Sequence, residues 1–211
     1  MLELVLYPEP ILRSRAAEIA TIDGAVRERV ARMFEIMYGE SGVGLAAPQV
    51  GWSGRLFIFN AVSEQPPEGE RVFINPRIIE RGEEEDIDEE GCLSIPDLRG
   101  KVKRSRRVVV ESRGLDGEIV REEFVDLEAR VFQHELDHLN GVLFIRHLSP
   151  TEKLFAKKLL RRLEKDYKER QRAARPATAS LPRAERGPVG GAGRGSTASR
   201  GRGAGRPGRR A

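Results

Sequence analysis

Two histidines four residues apart, in Gln133-His134-Glu135-Leu136-Asp137-His138, constrain this chain more than any other feature, because that spacing brings both rings together only on a helix. Residues i and i+4 of a helix project from one face, one turn apart. The flanks agree: Val131, Phe132, Leu136 and Leu139 form an apolar stripe at helical spacing, and Asn140-Gly141 supplies a stop in which Gly can take the left-handed conformation.

Such a pair of imidazoles is half a metal site. Glu135 sits too near His134 to close the same coordination sphere, but its carboxylate can lie beside an open position and handle the proton of a water there, which points to hydrolysis. The bland alternative is a packed or solvated helix face. The chain holds only three His, and two of them fall at ligand spacing around a Glu, which favours the metal.

A mononuclear hydrolytic site uses three protein ligands and an open position. Downstream, His147 lies in the loop-like Arg146-His147-Leu148-Ser149-Pro150 and is a weak candidate for the third. Cys92, the only cysteine, suits better: it stands in Glu90-Gly91-Cys92-Leu93-Ser94, where Gly91 lets the backbone approach another element, and a thiolate suits iron or zinc. Alone, a free Cys is more often a small buried apolar residue.

A third segment, Ser41-Gly42-Val43-Gly44-Leu45-Ala46-Ala47-Pro48-Gln49-Val50-Gly51, is small, apolar and almost uncharged, with one amide in its middle. It lacks the Lys and the spacing of a phosphate loop, so a nucleotide-binding reading fails.

Taken together, Gly42 to Gln49, Glu90 to Ser94 and Gln133 to His138 resemble the three signature motifs of the peptide deformylases, in the same order and at similar separations. The resemblance extends to Ile74-Asn75-Pro76, Arg99, Asn140-Gly141-Val142-Leu143-Phe144 and the closing helix, covering residues 3 to 168. It implies that Cys92, His134 and His138 hold one divalent metal, with Glu135 as general acid and base. Gln49 and the backbone N–H of Leu93 would steady the formyl oxygen as negative charge develops on it. Backbone near Val43, Gly44 and Gly91 would hold an extended peptide as an added strand, and Arg99 would border the pocket for its first side chain. The implied ion is Fe2+, while Zn2+, Ni2+ or Co2+ would fit the same ligands.

A ligating His usually donates its other ring nitrogen to a carboxylate or carbonyl, and Asp137 and Glu90 are the nearest candidates. Glu90 could equally be a surface charge continuing Glu83-Glu84-Glu85-Asp86; the resemblance favours its pairing with a basic group beside the metal site. Two positions depart from the family pattern. Arg146-His147 stands where many relatives carry an acidic residue, and Asp126 where Gly is common; Asp126 is expected to act as an N-cap.

The predicted elements are an amphipathic helix capped by Asp23 and running through Met37, then short strands over 45–47, 56–59, 72–74, 78–80, 108–111 and 118–124. The metal-binding helix follows, and a last helix starts near Ser149-Pro150, with Leu154, Phe155, Leu159, Leu160, Leu163 and Tyr167 on one broad side. A loop is expected over 64–70 and a hairpin turn over 114–117. The fold class is therefore α+β, mainly antiparallel strands around a central metal-binding helix with N-terminal and C-terminal helices.

The chain's 211 residues divide into an expected catalytic domain over 1–172 and a tail over 173–211. Among its Gly, Ala, Pro, Ser and Arg the tail has only Leu181 and Val189 as larger apolar residues, so disorder is expected. Nine Arg against one Glu give the tail +8; with the whole chain at +4, the remainder is −4. Arg spaced by Gly would favour polyanions such as RNA through salt-sensitive phosphate contacts, but no aromatic is present for base stacking. The resemblance adds docking of the basic last helix at the ribosome; a solvated face without a partner is the plainer alternative. No secretory signal and no membrane span are read, and a lone Cys acting as a thiolate ligand points to the reducing cytoplasm.

The function expected is removal of formyl from the N-terminal formyl-methionine of new polypeptides. A metallopeptidase built on the His-Glu-x-x-His helix is the alternative of the same class, opposed by Cys92 as third ligand. A ribosome- or RNA-associated protein with a vestigial catalytic fold is the other, opposed by the intact metal, acid-base and oxyanion residues.

Overall fold

Asp23 opens the first helix as expected: its carboxylate accepts from the Val26 N–H at 3.0 Å, and α1 runs Gly24–Gly39 with Val26, Val30, Met33, Phe34 and Met37 buried along one face. The computed structural model describes residues 2–62 and 66–174. The expected tail lies outside the described residues from 175 onward, while 173 and 174 complete the last helix.

The strands are β1 (Gly44–Ala46), β2 (Leu56–Phe59), β3 (Arg71–Arg81), β4 (Glu85–Cys92), β5 (Ile95–Ser105), β6 (Arg107–Arg113) and β7 (Ile119–Val125). A five-stranded antiparallel sheet has the order β1-β2-β3-β6-β7, and β4 pairs with β5 in a two-stranded sheet. Two helices complete the fold, α2 (Asp126–Leu139) and α3 (Pro150–Ala174), so the α+β class holds.

Three expectations about elements need correcting. The strands predicted at 72–74 and 78–80 are one strand, β3, in which Asn75-Pro76 makes a register shift instead of a break. Asn75 takes φ +52 there, and its side chain both donates to Ile19 O and accepts from Ile19 N at 2.9 Å, so a proline without an N–H is carried at a bulge. Second, β4 and β5 have no counterpart among the predicted strands. Glu85, Asp86, Asp88 and Glu89 are exposed on β4 and read as a solvated charge run, yet they face a basic β5, with Glu85 paired to Lys103 at 2.6 Å. Third, Asp126 does not cap α2. Val125 is the N-cap, and Asp126 is the first helical residue at φ +49, its carboxylate accepting from Arg106 Nε at 2.9 Å while its N–H donates to Arg106 O at 2.7 Å.

The position of α2 is set by aromatic packing. Phe57, Phe59, Phe73, Phe124 and Phe132 are all buried, with ring centroids of Phe132 5.0 Å from Phe57 and 5.2 Å from Phe73, both edge-on. Phe132, Ala129 and Leu136 thereby turn one side of the helix into the large sheet. Asn140 is the C-cap, and Gly141 follows at φ +70, where a Cβ would also stand 2.6 Å from Arg13 O. Only glycine satisfies both demands.

The start of α3 is a reciprocal cap. Glu152 N donates to Ser149 Oγ at 3.2 Å, Ser149 N donates to Glu152 Oε2 at 3.1 Å, and Glu152 Oε1 accepts from Lys101 N at 2.7 Å, which ties the helix to β5. Leu159, Leu160 and Leu163 pack on the core around Leu12, Ile95 and Phe144, as the spacing predicts. Leu154 and Phe155 do not: they are 67% and 77% exposed. Ala156, Leu159, Leu160 and Leu163 share the side of α3 that meets the body, whereas Leu154 precedes Leu163 by about two and a half turns and projects from the opposite side, with Phe155 at the margin.

Candidate active site

Cys92 ends β4, where the pairing with β5 shifts register after Gly91, and the shift leaves the thiol facing α2. Its Sγ lies 3.3 Å from His138 Nε2. The His134 and His138 rings are 5.0 Å apart between centroids, and one donor atom from each of Cys92, His134 and His138 falls within 4.8 Å of the others. Among the described residues this is the one group of at least three such side chains close enough to hold a metal ion.

The donor chemistry fits a divalent transition ion: one soft sulfur and two imidazoles, three ligands from two elements. His147 is elsewhere, with Nε2 2.9 Å from Asp137 Oδ2. Glu135 is 4% exposed, and its Oε2 has no hydrogen-bond partner. Burial pushes its carboxyl up to about 7, a value at which a carboxylate can both take and return a proton. Room for Glu135 comes from Gly44, where a Cβ would sit 2.5 Å from Glu135 Oε1.

Gln49 stands in a short helical turn over Ala47–Val50 and is buried. Its Oε1 accepts from Ala46 N at 2.8 Å, so the amide orientation is fixed, and Nε2 points at Cys92 Sγ (3.5 Å) and Ser94 Oγ (3.3 Å). Leu93 and Ser94 form the turn between β4 and β5, with Leu93 packed on the core around α1 and β2. β1 is an edge of the large sheet. Val43 O is taken by Asn60 N at 2.9 Å, so by strand alternation the backbone of Gly44 faces outward. Gly91 pairs with Arg99 across the small sheet, and the Arg99 guanidinium is exposed, 3.5 Å from Glu89.

Glu90 is buried beneath the cluster. Its Oε2 is 2.9 Å from His134 Nδ1 and 3.0 Å from Arg104 Nη2, and its Oε1 accepts from Arg104 Nε and Arg130 Nη1, both at 2.9 Å. Burial alone would raise the Glu90 pKa, but hydrogen bonds from His134 and Arg104 outweigh it and hold the carboxyl well below the usual range. With Nδ1 engaged, His134 is left with Nε2 for the cluster. Asp137 meets no cluster imidazole: its Oδ2 accepts from Arg104 Nη1 at 2.5 Å and faces His147.

Arg104, Arg130 and Ser94 are buried members of this site that sequence reasoning gave no role. A signal existed for Arg130, a charge between Ala129 and Val131 on the apolar side of α2, one turn before His134. Arg104 was concealed within the basic run from Lys101 to Arg107.

Comparison with known proteins agrees with this geometry. Residues 1–154 match the family described as polypeptide deformylase. A peptide deformylase of Thermotoga neapolitana is 44% identical over 160 residues, covering 76% of this chain and 94% of that protein. The chloroplastic peptide deformylase 1B of Solanum lycopersicum is 38% identical over 189 residues, 90% of this chain and 68% of that protein. Among solved structures, a peptide deformylase from Plasmodium falciparum superposes with a TM-score of 0.77 at 40% identity, covering 79% of this chain and 98% of that one. A plant peptide deformylase gives 0.77 at 38% identity, covering 88% and 96%. With the motifs, the fold and the clustered thiol and imidazoles in agreement, this chain belongs to the polypeptide deformylase family.

Proposed function

We propose that this protein is a metal-dependent hydrolase that removes the formyl group from the N-terminal formyl-methionine of newly synthesised polypeptides. The observation that carries the reading is the convergence of Cys92, His134 and His138 within 4.8 Å beside a buried Glu135 with an unpartnered oxygen. Those three side chains would hold one divalent ion, Fe2+ by family resemblance, with Zn2+, Ni2+ or Co2+ compatible with the same donors. Such an ion supplies Lewis acidity toward water and the formyl oxygen.

The chain's own residues do the rest. Glu135 takes the proton of the attacking water as the new C–O bond forms, and returns it to the nitrogen as the C–N bond breaks, so the products are formate and a free amine. Gln49 Nε2 and the Leu93 N–H donate to the formyl oxygen as it gains charge, each contributing roughly 2 to 4 kcal/mol to the barrier reduction. The open edge of β1 at Gly44, with Val43 and the backbone of Gly91 nearby, receives the substrate as an added strand, and Arg99 borders its first side chain. Glu90 fixes the His134 ring, with Arg104 and Arg130 holding Glu90 and Asp137 holding Arg104.

Lys153, Lys157, Lys158, Arg161 and Arg162 are exposed on α3, which supports contact with ribosomal or other RNA through that helix and the basic tail. No helix among the described residues is long and apolar enough to cross a membrane. A thiolate ligand suits a reducing compartment, so we place the protein in the cytoplasm. The test is hydrolysis of a formyl-Met peptide by protein loaded anaerobically with iron, with the acetyl-Met and free-amine peptides alongside. Formate release from the first alone is expected; cleavage of an internal peptide bond, or no turnover by the fully loaded protein, would overturn the reading.

A further inference from the structure

The large sheet is open at both ends, and β7 closes the end far from β1 in strand order. Among the described residues β7 pairs only with β6. Its backbone direction follows from two hydrogen bonds: Asp126 N donates to Arg106 O at 2.7 Å and Gly114 N donates to Glu118 O at 3.0 Å. Both belong to the register that pairs Arg107 with Val125 and Arg113 with Ile119, so the even-numbered residues of β7 bond inward. Ile119, Arg121, Glu123 and Val125 therefore turn their N–H and C=O groups outward.

The same four residues present their side chains on the exposed face, with Ile119 67% and Val125 50% exposed. Charged residues on an edge strand ordinarily discourage pairing. Here two rows of alternating charge cross the sheet and end on β7. In one, Arg77 of β3 pairs with Glu111 of β6 at 2.5 Å, and Glu111 with Arg121 at 2.8 Å, so the row ends in a positive charge. In the other, Glu80 of β3 pairs with Arg107 of β6 at 2.5 Å, and Arg107 with Glu123 at 2.7 Å, so it ends in a negative charge. The two ends flank Glu122, whose own carboxylate is already paired with Arg71.

We infer that β7 is a docking edge for a second copy of this chain, paired antiparallel about a twofold axis through Glu122. In that register Arg121 faces Glu123 of the other copy and Ile119 faces Val125, each contact occurring twice by symmetry. The four outward-facing residues are the ones placed opposite one another, so every open N–H and C=O of the edge finds a partner. Each charge row then continues through the axis as plus, minus, plus, minus, plus, minus over six strands. Isolated exposed ion pairs contribute little, and a joined row contributes more. Moving the axis by one residue, to Arg121 or to Glu123, also keeps outward residues paired, but it sets that charge against itself and leaves Val125 or Ile119 unmatched.

The test uses the full chain. Sedimentation over rising concentration is expected to show a monomer–dimer equilibrium that weakens with salt. Hydrogen exchange is expected to slow with concentration at the amides of 119, 121, 123 and 125, while those of 120, 122 and 124 are protected throughout. Arg121→Glu and Glu123→Arg should each weaken self-association at least about tenfold, since like charges then meet across the axis. Mixing the two variants should restore dimers, because each charge again meets its opposite although the intrachain rows remain broken. A monomer at every concentration overturns the proposal. So does a dimer whose odd-numbered β7 amides keep exchanging fast, or a mixture that associates no better than its components.

Discussion

Gly44 and Glu135 occupy each other's space: a Cβ on residue 44 would stand 2.5 Å from Glu135 Oε1 and 2.9 Å from its Cδ. The edge strand proposed to receive substrate is thus also the wall that seats Glu135, the proposed acid-base carboxylate. Gly44→Ala is expected to displace Glu135 while leaving Cys92, His134 and His138 in place. Turnover of a formyl-Met peptide should fall on the order of a hundredfold, as for an ångström-scale misplacement of a reacting group, with metal content unchanged. Unchanged turnover would show that Glu135 moves aside freely.

Glu135→Gln removes proton transfer and keeps the volume. It should retain metal and thermal stability but lose at least about a hundredfold in turnover, the usual contribution of a general acid and base. Near-normal activity would remove Glu135 from the mechanism.

Ligation is separable from this chemistry. Cys92→Ser should lose most bound metal on dialysis, whereas His147→Ala, whose ring pairs with Asp137 and is not part of the cluster, should keep it. Metal analysis of both purified variants decides the matter, and the reverse pattern would make His147 the ligand. Chelation should abolish activity, and anaerobic Fe2+ should restore it.

The buried carboxylate beneath the cluster gives a stability prediction. Arg130 Nη1 donates to Glu90 and to Val102 O, both at 2.9 Å, inside the protein. Arg130→Met leaves an acceptor unfilled and part of a charge unpaired, so a loss of about 3 kcal/mol in denaturant unfolding is expected. Arg106→Ala, which removes exposed, solvent-screened pairs with Glu84 and Asp126, should change stability far less. Equal effects would mean that the Glu90 cluster carries no special weight.

The metal helix was legible because its signal is local: a spacing of four, an apolar stripe and a glycine stop all lie within one segment. The same holds for the Asp23 cap and for Ser149 with Glu152, where donor and acceptor are three residues apart. What could not be read is set by partners distant in sequence. β4 looks like a solvated acidic run until β5 supplies its basic partner, and Asp126 looks like a cap until Arg106 claims both its carboxylate and its N–H. Motif resemblance brought Glu90 to the site, but not the two arginines that make its burial tolerable, since neither lies within a motif. Leu154 and Phe155 belong to the same apolar-rich helix, but which side of α3 meets the body is set by Leu159, Leu160 and Leu163, and Leu154 stands about half a turn out of phase with Leu163.

The basic tail should be dispensable for the chemistry. Cys92, Glu135 and the other proposed site residues all precede residue 150, and the Gly, Ala, Ser and Arg composition beyond Ala174 offers little apolar surface to bury. A chain truncated after Ala174 should hydrolyse a short formyl-Met peptide at the full-length rate. It should bind ribosomes or RNA more weakly at low salt, and the difference should shrink as salt rises, because Arg–phosphate contacts are screened and compete with counterions. Slower short-peptide turnover would show that the tail reaches the active site. Unchanged RNA binding at low salt would leave α3 as the sole basic contact.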